Sequence, residues 1–291
     1  MIKNYLILNC VVFSFLMISV KVFSQEKQKV ISLYENKAPG SENWNYSETE
    51  TKSKTFIYNI SKPTLTVYKP DSKTANGIGV IVCPGGAFQF LSIVTEGYEV
   101  AESLQKRGYT VFLLKYRLAQ CFTTNPMKES YERMKDWKQY GELIKPIIPL
   151  AIADGKQAIA YVKEHTSEYN LNKNKIGIMG FSAGGEVALG CAFQYDEKSR
   201  PDFVVPVYAR TTEFNTVEIP KDVPPLFMTA AADDAFHQDI ASVQMYIRWI
   251  QAKKTAELHI YRNGGHGFGV SKNLIAGTWI DRFNEWINGL N

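Results

Sequence analysis

Cysteine and histidine are scarce in this chain, with four of each among 291 residues. Cys10, Cys83, Cys121 and Cys191 are far apart, which excludes the close spacing of a zinc site and argues against a disulfide framework. Cys83 and Cys191 fall in apolar runs and read as small core residues. No Lys/Arg cluster is present, and the formal net charge is only +4. That field is too mild to recruit nucleic acid, and no aromatic stacking platform accompanies it. Internal repeats and low-complexity tracts are missing as well. Long apolar runs are absent except at the start, where Tyr5 to Val20 is mostly apolar but short for a membrane span. Lys3 precedes that run and Gln25-Glu26-Lys27 follows it, the form of a secretory signal peptide cleaved after Ser24. The expectation is a leader over residues 1–24, one domain over 25–291, and a periplasmic or secreted location. No integral membrane span is expected after cleavage; a retained anchor is the alternative.

What the chain does contain is an alternation of short apolar runs with helical patterns. Strands are expected near 78–83, 110–115, 175–180, 203–208, 225–231 and 257–262. Helices are expected near 95–107, 148–165, 183–194, 239–252 and 275–289. Such alternation implies an α/β fold, a mostly parallel sheet with helices on both faces. Residues 25–60 read as an irregular arm leading to an antiparallel edge strand at Leu65–Tyr68. Trp279, Phe283, Trp286 and Ile287 recur at helical spacing and are expected to face the core. Residues 118–149 break the rhythm and suggest an extra amphipathic helix or a helical cap insertion.

The chemistry-bearing motif is Gly180-Phe181-Ser182-Ala183-Gly184, a G-x-S-x-G between an apolar run and a helical one. A serine on a tight strand-to-helix turn points its hydroxyl out of the sheet, and small neighbours admit close backbone approach. Ser182 is therefore the candidate nucleophile. It needs a histidine to take its proton and a carboxylate to hold that histidine. His266, in Gly264-Gly265-His266-Gly267, has the loop setting a base requires. His259 lies in a strand pattern and His165 near a helix C-terminus. Past the strand at 225–231 stands Asp233-Asp234, where open parallel sheets place catalysts. Asp233 is the first candidate for the acid and Asp234 the second; the bland role for either is a helix N-cap. His237 lines the site or lies on the surface. The oxyanion donors are expected from Ala183 and from the loop Gly85, Gly86, Ala87 after the strand at 78–83. Such a site needs no metal and no cofactor.

The order oxyanion loop, Ser182, acid, His266 resembles the α/β-hydrolase fold. Ser61–Tyr68, Cys83–Phe88, Glu96–Ala101, Leu114–Leu118, Gly180–Gly185 and Gly264–Phe268 together resemble more narrowly the bacterial acetyl xylan esterase group, near the feruloyl esterases. Pro84 stands where lipases and related esterases carry the histidine of His-Gly-Gly-Gly. The resemblance implies a serine esterase that removes acetyl or aryl-acyl groups from plant polysaccharide such as xylan. Its partner would be an acylated oligo- or polysaccharide, and Trp137 and Tyr140 in the insertion are candidates to grip a sugar or aryl group. The rivals are a prolyl-peptide-cleaving serine peptidase and a non-catalytic carbohydrate-binding protein on the same fold.

Overall fold

Runs of β-branched and small apolar residues bounded by Gly, Pro and Asn form the strands of this chain. The computed structural model describes residues 28–290; the leader expected at 1–24 lies outside them. The amino-terminal part holds β1 (Val30–Ser32), β2 (Thr49–Glu50), β3 (Ile57–Tyr58), β4 (Thr64–Tyr68), β5 (Gly79–Cys83) and β6 (Phe90–Leu91). A π-helical turn (Ile93–Tyr98) then runs into α1 (Glu99–Gln105), followed by β7 (Thr110–Lys115). Helices α2 (Pro126–Met134), α3 (Trp137–Ile144) and α4 (Ile147–Glu164) precede β8 (Ile176–Phe181) and α5 (Ala183–Phe193). The remainder is β9 (Val204–Val207), β10 (Leu226–Ala231), α6 (Gln238–Gln251), β11 (Ala256–Tyr261) and α7 (Trp279–Gly289).

The main sheet runs β1-β4-β7-β5-β8-β9-β10-β11. Strands β7 to β11 of that order are parallel, while β4 and β1 add antiparallel pairs. The expected parallel sheet is therefore present. Leu65–Tyr68 is antiparallel, but it is not the edge: Val30–Ser32 of the supposedly irregular arm pairs outside it. The same arm supplies β2 and β3 to a small sheet with β6. Three residues and two residues are too short for a periodic signal, which is why pattern reading passes over them.

Central strands β5, β8 and β10 are buried along their whole length, as strands covered on both faces must be. Helix α5 is buried at every position. Apart from Glu186 it is apolar all round rather than on one stripe, the mark of a helix enclosed by other elements. The apolar spacing on α7 faces the core as expected, with Trp279, Phe283, Trp286 and Ile287 buried. In the 118–149 insertion the single extra helix proves to be two. The Asp136 side chain accepts from the Lys138 and Gln139 N–H groups and so restarts the helix after Met134.

This topology creates the site. From β5 the chain goes to β7 on one side and then to β8 on the other. A crevice opens over the carboxyl ends of strands at such a reversal. The loop after β5 and the turn after β8 both lie there.

Candidate active site

Ser182 occupies the turn between β8 and α5 with φ 51° and ψ −115°. A side-chain-bearing residue in this region costs about 1–3 kcal/mol and persists only where surroundings enforce it. Its N–H donates to the Val207 carbonyl at 3.0 Å, and its carbonyl accepts from the Glu186 N–H at 3.1 Å. The glycines of the motif are required by space. A Cβ on Gly180 would overlap the Gly184 backbone, and one on Gly184 would overlap the Cys83 carbonyl.

His266 Nε2 lies 2.9 Å from Ser182 Oγ, and its Nδ1 lies 2.8 Å from Asp234 Oδ2. A carboxylate only accepts, so Nδ1 carries the proton and Nε2 is free to accept from the serine. The carboxylate is Asp234 and not Asp233, which corrects the first choice made from sequence. The chain turns just past β10, with the Asp234 N–H donating to the Ala231 carbonyl at 3.1 Å. That turn aims Asp234 inward, 2% exposed, and Asp233 outward. Asp233 Oδ1 instead accepts from the Gly264 and Gly265 N–H groups at 2.8 and 2.7 Å. It pins the loop that carries His266. Asp234 Oδ1 accepts from the Phe236 N–H at 2.8 Å, so both of its oxygens are engaged.

Among the described residues the N–H groups of Gly86, Ala87 and Ala183 have no hydrogen-bond partner. All three residues border the cavity beside Ser182. Gly86, Ala87 and Phe88 have φ of 137°, 56° and 57°, a run that turns backbone donors to one side. Gly85 departs from expectation: its N–H donates to Glu96 Oε2 at 2.7 Å and is not available to a substrate. The cysteines stay clear of this chemistry. Cys83, Cys121 and Cys191 are buried, and burial raises each thiol above its ordinary range.

The cavity over Ser182 has a volume near 240 Å³. Trp137 borders it at 60% exposure, its ring set edge-on to Tyr140. Tyr140 also borders it, but is buried and donates its hydroxyl to the Ala87 carbonyl at 3.2 Å. Its contact is with the loop as much as with the cavity. His237 does not border the cavity, another departure from expectation. It is exposed at the N-cap of α6 with φ 54°, and its neighbours Phe236 and Gln238 face the site instead. Sequence reading also missed Arg210, which borders the cavity and bonds both oxygens of Glu186 at 2.9 and 2.8 Å. Burial pushes the Glu186 carboxyl up to about 7, against the pull of Arg210. Arg210 lies just past the carboxyl end of β9, the same positional rule that marked the aspartates. No group of three or more His, Cys, Asp or Glu able to hold a metal ion occurs among the described residues. No helix there is long and apolar enough to cross a membrane.

Comparison with known proteins bears on the fold. Residues 139–220 match the BD-FAE family model. The chain is 24% identical over 271 residues to an acetylxylan esterase of Xylanibacter ruminicola, covering 82% of this chain and 50% of the relative. It thus spans about half the length of that relative. Among solved structures it is similar to an acetyl ester-xyloside bifunctional hydrolase from Caldicellulosiruptor lactoaceticus, with TM-score 0.65 and 22% identity. That match covers 90% of this chain and 96% of the other. An α/β hydrolase from a Medee basin deep-sea metagenome library gives TM-score 0.60 at 22% identity, covering 84% and 96%. The chain has the α/β-hydrolase fold.

Proposed function

We propose that this α/β-hydrolase-fold chain is a serine esterase that deacylates plant polysaccharide, xylan first among them. The observation that carries the reading is the continuous Ser182–His266–Asp234 relay, at 2.9 and 2.8 Å, opening into a cavity. His266 Nε2 takes the Ser182 proton as Oγ attacks the ester carbonyl. The oxyanion settles against the Ala183 N–H and the Gly86 or Ala87 N–H, donors already oriented before substrate arrives. Asp234 holds the imidazolium that forms. The same imidazolium protonates the departing alcohol, water then attacks the acyl-enzyme with His266 as base, and the acid leaves.

The acetylxylan esterase relative and the acetyl ester-xyloside hydrolase neighbour support acylated xylan as the substrate class. One feature favours a second acyl group. Phe88, Phe90, Met127, Tyr131, Met134 and Trp137 line the cavity. An acetyl group has three heavy atoms and fills little of that space, so an aryl-acyl ester is the second substrate to try. Export is part of the reading and rests on the residues around 1–24 alone; the amino-terminal sequence of the protein recovered outside the cytoplasm tests it.

The decisive experiment is acetate release from acetylated xylan, with Ser182→Ala as control. Release by the wild type alone supports the reading. A folded wild type that labels with a fluorophosphonate but releases no acetate discards acetylated xylan and directs the search to feruloylated oligosaccharides and peptides. No labelling at all points to a binding protein on this fold.

A further inference from the structure

One buried carboxylate near the site has no part in the relay. Glu96, 4% exposed, projects from the π-helical turn Ile93–Tyr98. π-turns inside helices recur at functional sites. Its Oε2 accepts from the Gly85 N–H at 2.7 Å, and its Oε1 accepts from the Tyr208 hydroxyl at 2.7 Å. The Tyr208 oxygen in turn accepts from the Gly269 N–H at 3.1 Å. Gly85 begins the oxyanion loop, and Gly269 lies three residues past His266. The Tyr208 ring also meets the His266 ring edge-on, with centroids 5.0 Å apart. Space agrees with the bonds: a Cβ on Gly85 would stand 2.7 Å from Glu96 Oε2, and one on Gly269 2.7 Å from the carbonyl of Thr95.

This pattern fits an ionised carboxylate. With Tyr208 donating to one oxygen and Gly85 to the other, a proton on Glu96 Oε1 would have to displace the phenol proton, which has no other acceptor among the described residues. Burial raises the Glu96 pKa, opposed by the Tyr208 and Gly85 bonds. The partners of Glu96 are a phenol and a backbone N–H, not a cation. Hydrogen bonds to a charged acceptor in a buried place are short and strong. Two segments with positive φ, Gly86–Phe88 and Tyr208 at 36°, flank it. Such strain persists where neighbouring contacts overdetermine it.

We infer that Glu96 is a positioning residue that ties the oxyanion loop to the histidine loop through Tyr208, so that donor and base keep one spacing. The inference rests on the esterase reading. Its test uses the full chain with p-nitrophenyl acetate and a fluorophosphonate, for wild type, Ser182→Ala, Glu96→Gln, Tyr208→Phe and the double variant. A misplacement of about 1 Å costs on the order of 100-fold in rate. Each single variant is expected to lower kcat about 30-fold with KM within about twofold. The double variant should be about as slow as the slower single one, because both break one unit. Tyr208→Phe loses only a hydroxyl, so it decides the matter by the same split of kcat against KM if Glu96→Gln does not fold. A kcat within about threefold of wild type in the folded variants overturns the inference. So does a loss in which KM rises and the thermal midpoint falls in proportion, and so do single effects that multiply in the double variant. A folded wild type that neither turns over nor labels overturns the esterase reading and this role with it, whereas failure of the inference alone leaves wild type active and Ser182→Ala silent.

Discussion

The two walls of the cavity are built in opposite ways. On the sheet side, Ser182, Gly86, Glu96 and His266 are held by backbone bonds, buried carboxylates and positive-φ turns. On the other side, α2 and α3 present Met127, Tyr131 and Trp137 on helix surfaces, each more than one-third exposed. The first wall is defined by backbone geometry that many distant residues share. The second is defined by side chains that end in solvent. Chemistry is therefore expected to be intolerant of change on the sheet side, and substrate choice to be adjustable on the helical side.

The largest expected effect breaks the sheet wall at its centre. Ser182→Ala should lower kcat by roughly a millionfold and abolish fluorophosphonate labelling, read with a small chromogenic ester. Next comes the pair of aspartates, which separates chemistry from support within two adjacent residues. Asp234→Asn should lower kcat by roughly a thousandfold to ten-thousandfold, since an amide at Nδ1 favours the wrong tautomer. Asp233→Ala removes only the tie to Gly264 and Gly265 and should cost less than about tenfold in kcat. Equal losses from both substitutions would dissolve the distinction drawn between them.

The helical wall should answer differently. Trp137→Ala is expected to raise KM on acetylated xylan oligosaccharides about fivefold and to leave turnover of p-nitrophenyl acetate within about twofold, because aromatic contacts contribute only about 0.5–1.5 kcal/mol beyond their area. A matching loss on the small ester would assign Trp137 to support of Tyr140 rather than to the polymer.

The smallest effect concerns Glu186, in the first turn of the helix after Ser182. Its folded pKa of about 7 stands above the ordinary carboxyl value of 4.5. Between those values the unfolded chain releases the proton while the folded chain keeps it, so stability falls as pH rises through that window and levels off above about 7. Glu186→Gln has no such group. Its thermal midpoint relative to wild type should therefore climb from pH 4.5 to pH 7 and then hold. A difference that is flat with pH would show that Arg210 holds Glu186 ionised throughout.

Much of this architecture is legible in the sequence. The central parallel strands read as apolar runs because strands buried on both faces have few polar positions to interrupt them. Ser182 and His266 stood out because glycines crowd them. The two-residue strands β2, β3 and β6 carried no such mark, since a period needs more than one repeat to be seen. Asp136 hid the break between α2 and α3 inside a stretch that reads as one amphipathic helix. The donor role of Gly85 was misread for a further reason: whether its N–H is free depends on Glu96, eleven residues away and in another element.

Sequence alone established the layered fold and singled out Ser182 and His266, because each rests on local chemistry: alternating apolar runs, a serine bracketed by small residues, a histidine on a glycine loop. Tertiary structure decided which neighbouring aspartate faces the histidine and that His237 does not border the cavity. It also decided that Arg210 and Glu96 belong to the site. Those outcomes depend on where strand ends, turns and loops from distant parts of the chain converge. A carboxylate acts on the group it meets in space, and adjacent carboxylates past one strand are turned in opposite directions by a single hydrogen-bonded turn.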